Sequence, residues 1–346
     1  MNGIIIFLGI LLILVVGKSV FIPLIVAAFL WYLTNSISAY YRRVMPFGKK
    51  FCDASGTMCL IFDWTAFSAA IATLLGLLYI FVVQIKPMFR AISAQLPTIQ
   101  NNLFSLSTYI SDTLNININP SVLPDLAGLA ANVGMSIGGA VLSFGMILIY
   151  LLFMFIEQSS FRNKIAAIFP DTKKFRKWSY ILNSINTNMK KYLFMKTSVS
   201  VATALLSYFW LKYLGLEFAG VWAFVVFIMN YIPTFGAIIS TAMPILYAVA
   251  TIPGLQMPIL ILIGLVLIQI LLSNIIEPKL TGDTLNLSTL AILINLVFWG
   301  MIWGAAGMFF SVPLLVATFV ITAQFDRTRW IAVLLSADGK IPDKEE

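Results

Sequence analysis

The run Asn230-Tyr231-Ile232-Pro233-Thr234-Phe235-Gly236 sets an amide, a proline and a glycine in the middle of an otherwise apolar stretch. A second interruption, Trp299-Gly300 through Gly304 and Gly307, lies in a later apolar stretch. Their surroundings match as well. The first follows an apolar span at 197–214 and the turn Gly215-Leu216-Glu217, and precedes an apolar stretch containing Pro244. The second follows a span at 258–276 and Glu277-Pro278-Lys279-Leu280, and precedes a stretch containing Pro313. Each unit reads as a span, an acidic turn and a helical hairpin with a Gly/Pro-rich tip. If the first span leaves the cytoplasm, its hairpin returns to the outside, the second span runs inward, and the second hairpin returns to the inside. The units are then inverted, the plan by which many secondary transporters build a central site from broken helices. Irregular backbone at membrane depth is tolerated only where it is buried in protein or lines a wet cavity. Ordinary proline-kinked spans are the alternative.

Working outward, composition agrees with a bilayer. Of 346 residues, 60% are hydrophobic and 10% charged, against a usual charged share of about 25%. Mean hydropathy is +0.95. With 22 basic and 14 acidic residues the chain lacks the charge to cover a water-facing surface of this size, which excludes a soluble enzyme. The absence of histidine removes the commonest general base and metal ligand. Cys52 and Cys59 are too few for a zinc site and read as reduced, cytoplasm-facing thiols. No Gly-rich Lys-Ser/Thr loop occurs, so ATP coupling is unexpected; no metal, cofactor or catalytic residue set is expected either.

The net charge of +8 is concentrated in a few loops. Arg42, Arg43, Lys49 and Lys50 face only Asp53, and the basic residues of 162–191 face only Glu157 and Asp171. This is the positive-inside pattern of cytoplasmic loops rather than a nucleic-acid surface. In 84–132, by contrast, Lys86 and Arg90 are balanced by Asp112 and Asp125, as in an external loop. Apolar runs at 4–16, 21–40, 58–83 and 133–156 supply the earlier spans. The first is short enough for a signal peptide but lacks a basic start and a small-x-small cleavage site, so a retained span is expected. Phe89, Ile92, Leu96, Ile99, Leu103, Leu106 and Ile110 form an apolar stripe on an external helix interrupted by Pro97. Phe175, Trp178, Leu182, Ile185 and Met189 form another, on an interfacial helix over an anionic inner leaflet.

The expected architecture is an all-α integral membrane protein of about eight membrane-embedded elements, including two Gly/Pro-broken hairpins in inverted units, with amphipathic helices outside the bilayer. Its parts are three spans in 1–83, an external segment 84–132, a fourth span 133–156, interfacial helices 157–193, the units 194–252 and 253–324, and a cytoplasmic tail 325–346. Both termini are expected in the cytoplasm of a bacterial inner-membrane, multi-pass protein.

The two central blocks also carry a family resemblance. Tyr192-Leu193, Lys196-Thr197, Ser200, Gly215-Leu216, Phe218-Ala219, Trp222-Ala223, Phe227 and the 230–236 run resemble the signature of the autoinducer-2 exporter family. So does Glu277-Pro278-Lys279-Leu280-Thr281-Gly282 with Leu285, Leu287-Ser288, Trp299-Gly300, Trp303-Gly304, Gly307 and Ser311-Val312-Pro313. One departure is Met243-Pro244, where members commonly have paired prolines. The resemblance implies a permease that forms a homo-oligomer, a pentamer. It also implies export of autoinducer-2 or a similar small polar signal in quorum sensing, or sodium- or lithium-for-proton antiport. A non-transporting oligomeric scaffold is the reading from a different class.

For ion coupling the requirement is a carboxylate within the bundle. Glu277 is the first candidate. It directly precedes Pro278, which is expected to leave it without a continuing helix, with Asn274 a turn away and Gln269 further along the span. Glu217 holds the matching place in the first unit, with Lys212 as its expected partner. Helix capping is the alternative for both. Asp63 reads as an interfacial packing residue. For a polyhydroxylated solute, Asn230, Tyr231, Thr234, Gln269, Asn274 and Asn295, with Trp299 and Trp303, supply neutral donors, acceptors and aromatic faces. Bonds between helices are their alternative role. Lys196 either anchors a solute or a carboxylate, or snorkels to the inner interface. Pro233, Gly236, Pro278, Gly300, Gly304, Gly307 and Pro313 are the expected tips and hinges. The expected partners are membrane lipids, a small polar solute or a monovalent cation with protons, and further copies of the chain.

Overall fold

The computed structural model describes residues 2–44, individual positions between 68 and 108, and residues 143–158, 160–169, 171–281 and 286–341. Asp63, Cys52, Cys59 and all of the 89–110 stripe except Ile99 lie outside the described residues; Ile99 is helical and buried. Among the described residues every regular element is a helix, apart from one isolated bridge between Leu287 and Ser336. Three helices among the described residues are long and apolar enough to cross a bilayer: Lys18–Ser36, Gln256–Leu280 and Thr289–Ala323. Shorter apolar helices run over Ser143–Glu157, Ala219–Met229 and Phe235–Thr251. Their outward side chains, Met301, Leu290, Ile294 and Leu267 among them, are exposed and apolar, as a lipid-facing surface requires.

The chain divides into two compact units. The first comprises Met1–Leu78, Val141–Leu193 and Asp283–Glu346. Helix Asn2–Val16 ends at Gly17, where a Cβ would press on the Phe21 ring and the Ile13 carbonyl, and helix Lys18–Val44 follows at once. The break leaves the last carbonyls of the first helix without helical partners. One of them, on Leu14, accepts the indole N–H of Trp303 at 3.0 Å. Phe29 packs edge-on against Phe309 and Phe310.

Helix Thr289–Ala323 is not straight. Gly304 takes φ 62°, ψ −139°, outside helical geometry. The amide of Asn295 donates to the carbonyl of Ser311 at 2.6 Å, and a Cβ on Gly300 would meet Met308 at 3.0 Å. Residues sixteen apart in a straight helix would be separated by ~24 Å, so the two arms lie side by side. Beyond the second arm, Ala323 and Phe319 pack on Ala332 of helix Arg329–Leu335. The chain then returns to the start of the first arm. The Ser288 amide donates to Leu335, Ala337 to Asn286, and the Asn286 side chain donates to Asp338 at 2.6 Å. With Lys340 and Asn286 both bonding it, the exposed Asp338 carboxyl is held down at about 2.

The second unit comprises Tyr79–Ala140 and Phe194–Gly282. Its framework begins with a single helix, Thr172–Tyr213, whose last turns belong to it. One helix therefore runs through what the sequence reading set apart as interfacial helices at 157–193 and a span beginning at 197. No glycine or proline occurs from 172 to 213, so the change in polarity near 192–197 carries no backbone signal to stop. Of its amphipathic stripe, Phe175, Trp178, Leu182, Ile185 and Met189 are all half-buried, and the fully buried position, Ile181, lies outside the stripe read from sequence.

The helix ends in a Schellman turn. Gly215, at φ 74°, and Leu216 donate to the carbonyls of Lys212 and Leu211. Helix Ala219–Met229, the turn 230–234, helix Phe235–Thr251 and helix Gln256–Gln269 follow. Leu211, Val221, Trp222, Tyr247, Ala248, Ile261 and Leu265 close the core. In lipid, burial of leucine against leucine gains little, so close approach through small residues must hold helices together. Gly264 does this: a Cβ there would overlap the Trp210 indole.

Candidate functional site

The site is built on the polar face of the helix that ends at Tyr213. Lys196, Ser200, Thr203 and Ser207 recur at helical spacing and all are buried, while Leu205, Leu206 and Phe209 on the other face are exposed. Three positions of this helix, Lys196, Thr197 and Ser200, reach neighbouring elements. The Asn230 amide donates to Ser200 Oγ at 3.1 Å. Thr197 Oγ1 lies 2.7 Å from the Tyr231 hydroxyl. Lys196 Nζ donates to Glu277 Oε1 at 2.6 Å, with side-chain exposures of 9% and 24%.

Glu277 does not lack a continuing helix, contrary to the sequence expectation. Helix Gln256–Gln269 widens into a π-helical segment, Ile270–Ile276, and continues as the α-helical turn Glu277–Thr281. Pro278 has no N–H to give, and the wider π turn accommodates both the missing bond and the ring. Glu277 is therefore held on a continuous helical frame. Gln269 closes the preceding turn: it donates to Ser240 Oγ at 3.4 Å and accepts from Ser273 Oγ at 3.0 Å.

These groups surround a cavity of about 740 Å³. Lys196, Glu277, Asn274, Asn230 and Thr234 line it, with Gln269, Ser273 and Thr241 further along and aliphatic side chains beyond. Thr234 opens helix Phe235–Thr251 from φ 61°, and Asn230 closes helix Ala219–Met229. Six of the eight pathway residues named from sequence thus border one space. The other two do not. Glu217 is exposed in the turn before helix Ala219–Met229 and accepts from the Tyr247 hydroxyl at 3.1 Å. Its expected partner Lys212 donates instead to the Tyr208 hydroxyl, because the left-handed turn at Gly215 ends the helix between them. Asn295 belongs to the first unit, where it bonds Ser311.

The tip residues divide likewise. Pro233 lines the cavity, and Gly236 packs so closely that a Cβ would overlap the Met229 carbonyl oxygen. In the first unit a Cβ on Gly307 would overlap the Trp299 carbonyl oxygen, at the matching break. Sequence reading passed over Ser273, Ser240 and Thr241. The four-three-four recurrence of Lys196, Ser200, Thr203 and Ser207 was the available signal for a polar face on the framework helix. No group of three or more potential metal ligands occurs among the described residues.

A family model described as "AI-2E family transporter" matches residues 4–327. The chain belongs to the AI-2E family. Among relatives, "AI-2 transport protein TqsA" of Escherichia coli strain K12 is 33% identical over 208 residues, 60% of this chain and 59% of that one. A Haemophilus influenzae protein is 29% identical over 66% of this chain and 65% of its own length. A Borreliella burgdorferi protein is 30% identical over 68% and 66%. The names of the last two give transport as an assumed role. The matches therefore span less than two thirds of each of these relatives. AI-2E membership and the apolar helices make this chain an integral membrane protein of a transporter family rather than of an enzyme family.

Proposed function

We propose that this AI-2E protein is a secondary transporter in which a small polar solute, autoinducer-2 or a similar signal molecule, passes through the cavity headed by Lys196 and Glu277. The ion pair of the buried Lys196 with the half-buried Glu277 carries the reading. Taking two charges out of water costs several kcal/mol per ion, which their attraction seldom repays with a surplus, so the pair contributes little as a fastener. Ionisable groups within a membrane bundle mark pathways. Lys196 and Glu277, with the neutral donors Asn230, Thr234, Gln269 and Asn274, match a polyhydroxylated solute that exchanges its water shell for these groups.

In this reading the two span-and-hairpin units, 194–252 and 253–324, are inverted and belong to about eight membrane-embedded elements. The tips at Pro233–Gly236 and Gly300–Gly307 are the hinges, with Pro278 and Pro313 beside them. Segments 1–83 and 133–156 complete the bundle, 84–132 lies outside, and 157–193 and 325–346 lie in the cytoplasm. The protein is a bacterial inner-membrane homo-oligomer, a pentamer, driven by a gradient.

Sodium- or lithium-for-proton exchange is the second reading. It is favoured by the carboxylate of Glu277 directly following the π-helical segment that carries Asn274 and Ser273, in the cavity that Gln269 also lines. Proteoliposomes separate the two readings. Labelled autoinducer-2 uptake above that of empty liposomes, reduced at least about tenfold by Glu277→Gln, is the outcome expected for the solute transporter. Sodium-driven proton flux without solute uptake would select the exchanger. Neither flux would leave the oligomeric scaffold, and a flux indifferent to Glu277→Gln would make that residue a structural one.

A further inference from the structure

The cavity of the second unit changes character along its length. The charged pair and the amides sit at one end, and the facing stripes then run through Thr241 and Gln269 to Ile245, Leu246 and Leu262. From 234 to 246 the helix rises ~18 Å. The far walls are open to the side: Leu246 is 65% and Leu262 42% exposed. A furanose-sized solute would occupy the polar end and leave this aliphatic trough unfilled. We propose that the trough holds an aliphatic tail, so that the preferred ligand is a zwitterionic single-chain amphiphile with its ammonium on Glu277 and its anionic group on Lys196.

The head chemistry follows from the pair. Lys196 and Glu277 bond each other at 2.6 Å, so a ligand that enters between them must offer a partner to both. An anionic head satisfies Lys196 and leaves Glu277 a half-buried, uncompensated carboxylate; a cationic head strands the buried Lys196 ammonium instead. A head bearing both signs replaces each half of the bond with a partner of opposite charge. The tail has an equally specific place, because two helical stripes, one on Phe235–Thr251 and one on Gln256–Gln269, form the walls of a single trough. This inference rests on the reading of the cavity as the transport passage.

The test uses the full chain in nanodiscs with photoreactive lysophosphatidylethanolamine, followed by mapping of the labelled peptides. Label is expected on the 235–270 peptides, competed by unlabelled lysophosphatidylethanolamine and at least about fivefold less well by lysophosphatidylglycerol. Lys196→Met and Leu246→Trp, which blocks the trough, should each lower it about tenfold. Leu262→Trp replaces the second variant if that one fails to assemble. Phe209→Trp, on the exposed face of the framework helix away from the cavity, should leave the label unchanged. Label spread evenly over the apolar surface and unmoved by Leu246→Trp would mean ordinary boundary lipid and overturn the proposal. If Glu277-dependent uptake of the polar solute persists in that case, the tail assignment alone falls. If uptake is missing too, the transport reading falls with it.

Discussion

Replacing Lys196 by methionine removes the cation that faces Glu277 and keeps the volume of the side chain, so the cost isolates the charge. Breaking one side of a buried pair costs about 3–5 kcal/mol, and the partial exposure of Glu277 places this case at the lower end. The double variant Lys196→Met with Glu277→Gln removes both charges and should recover most of the loss, because no buried charge is then stranded. Melting temperatures in one detergent for the four proteins of the cycle give the coupling. Additive losses would show that Lys196 and Glu277 act separately. At this scale the sequence made each residue a candidate without pairing them. Glu277 lies 81 positions from Lys196, and helical spacing defines which face a residue shares, not which helix will lie opposite. The converse holds at Glu217. Lys212 is near in sequence, yet the Schellman turn at Gly215 carries the chain away, and Glu217 meets Tyr247 thirty positions later.

Among elements, the breaks were more legible than the continuities. Gly236 and Gly307 announced their turns because the close approach of their Cα atoms to a carbonyl oxygen admits no side chain. Each alanine substitution should destabilise by about 1–3 kcal/mol, since the backbone must open to admit the methyl group. Gly145, with open space around it inside helix Ser143–Glu157, is the control. Alanine there should be neutral or stabilising by up to about 1 kcal/mol. A melt in which all three behave alike would refute the close-approach argument. The 42-residue helix and the π-helical turn before Glu277 were not legible. Polarity changes within the first without a breaker, and the near-continuous apolar run of the second has too little periodic contrast to reveal a wider turn.

The clasp at Asn286, Asp338 and Lys340 joins segments far apart in sequence, and it should respond to acid. Asp338 is held at about 2 from a usual 3.8, so its contribution is complete above about pH 4 and fades as pH falls toward 2. Hydrogen exchange of the Lys340 amide, which donates to Asp338, should therefore lose protection across that window. Unchanged protection down to pH 2 would show that the backbone holds the clasp by itself.

For the whole molecule, charge and connectivity can be set against each other as two independent witnesses to topology. By the positive-inside rule, the excess of lysine and arginine in 162–191 is the charge argument for the cytoplasmic side proposed for that segment. The contacts of the first unit say something different in kind: the bridge between Leu287 and Ser336 holds the two ends of the folded Thr289–Ala323 helix at one level. Residues 286–288 and 336–340 must then share a side, which the inverted-unit plan also makes cytoplasmic. The same plan puts the turn after Thr251 outside. In a background with Cys52→Ser and Cys59→Ser, Leu255→Cys should react with a membrane-impermeant maleimide on intact cells. Lys173→Cys and Lys340→Cys, both at exposed positions, should react only after the membrane is opened. The comparison separates the two witnesses. Lys173 tests the charge rule alone, while Leu255 and Lys340 test whether the 256–280 span and the folded helix after it leave an odd number of crossings between them. Labelling of Leu255→Cys and Lys340→Cys from the same side would make that number even and remove the inversion on which the transport reading of the two units depends.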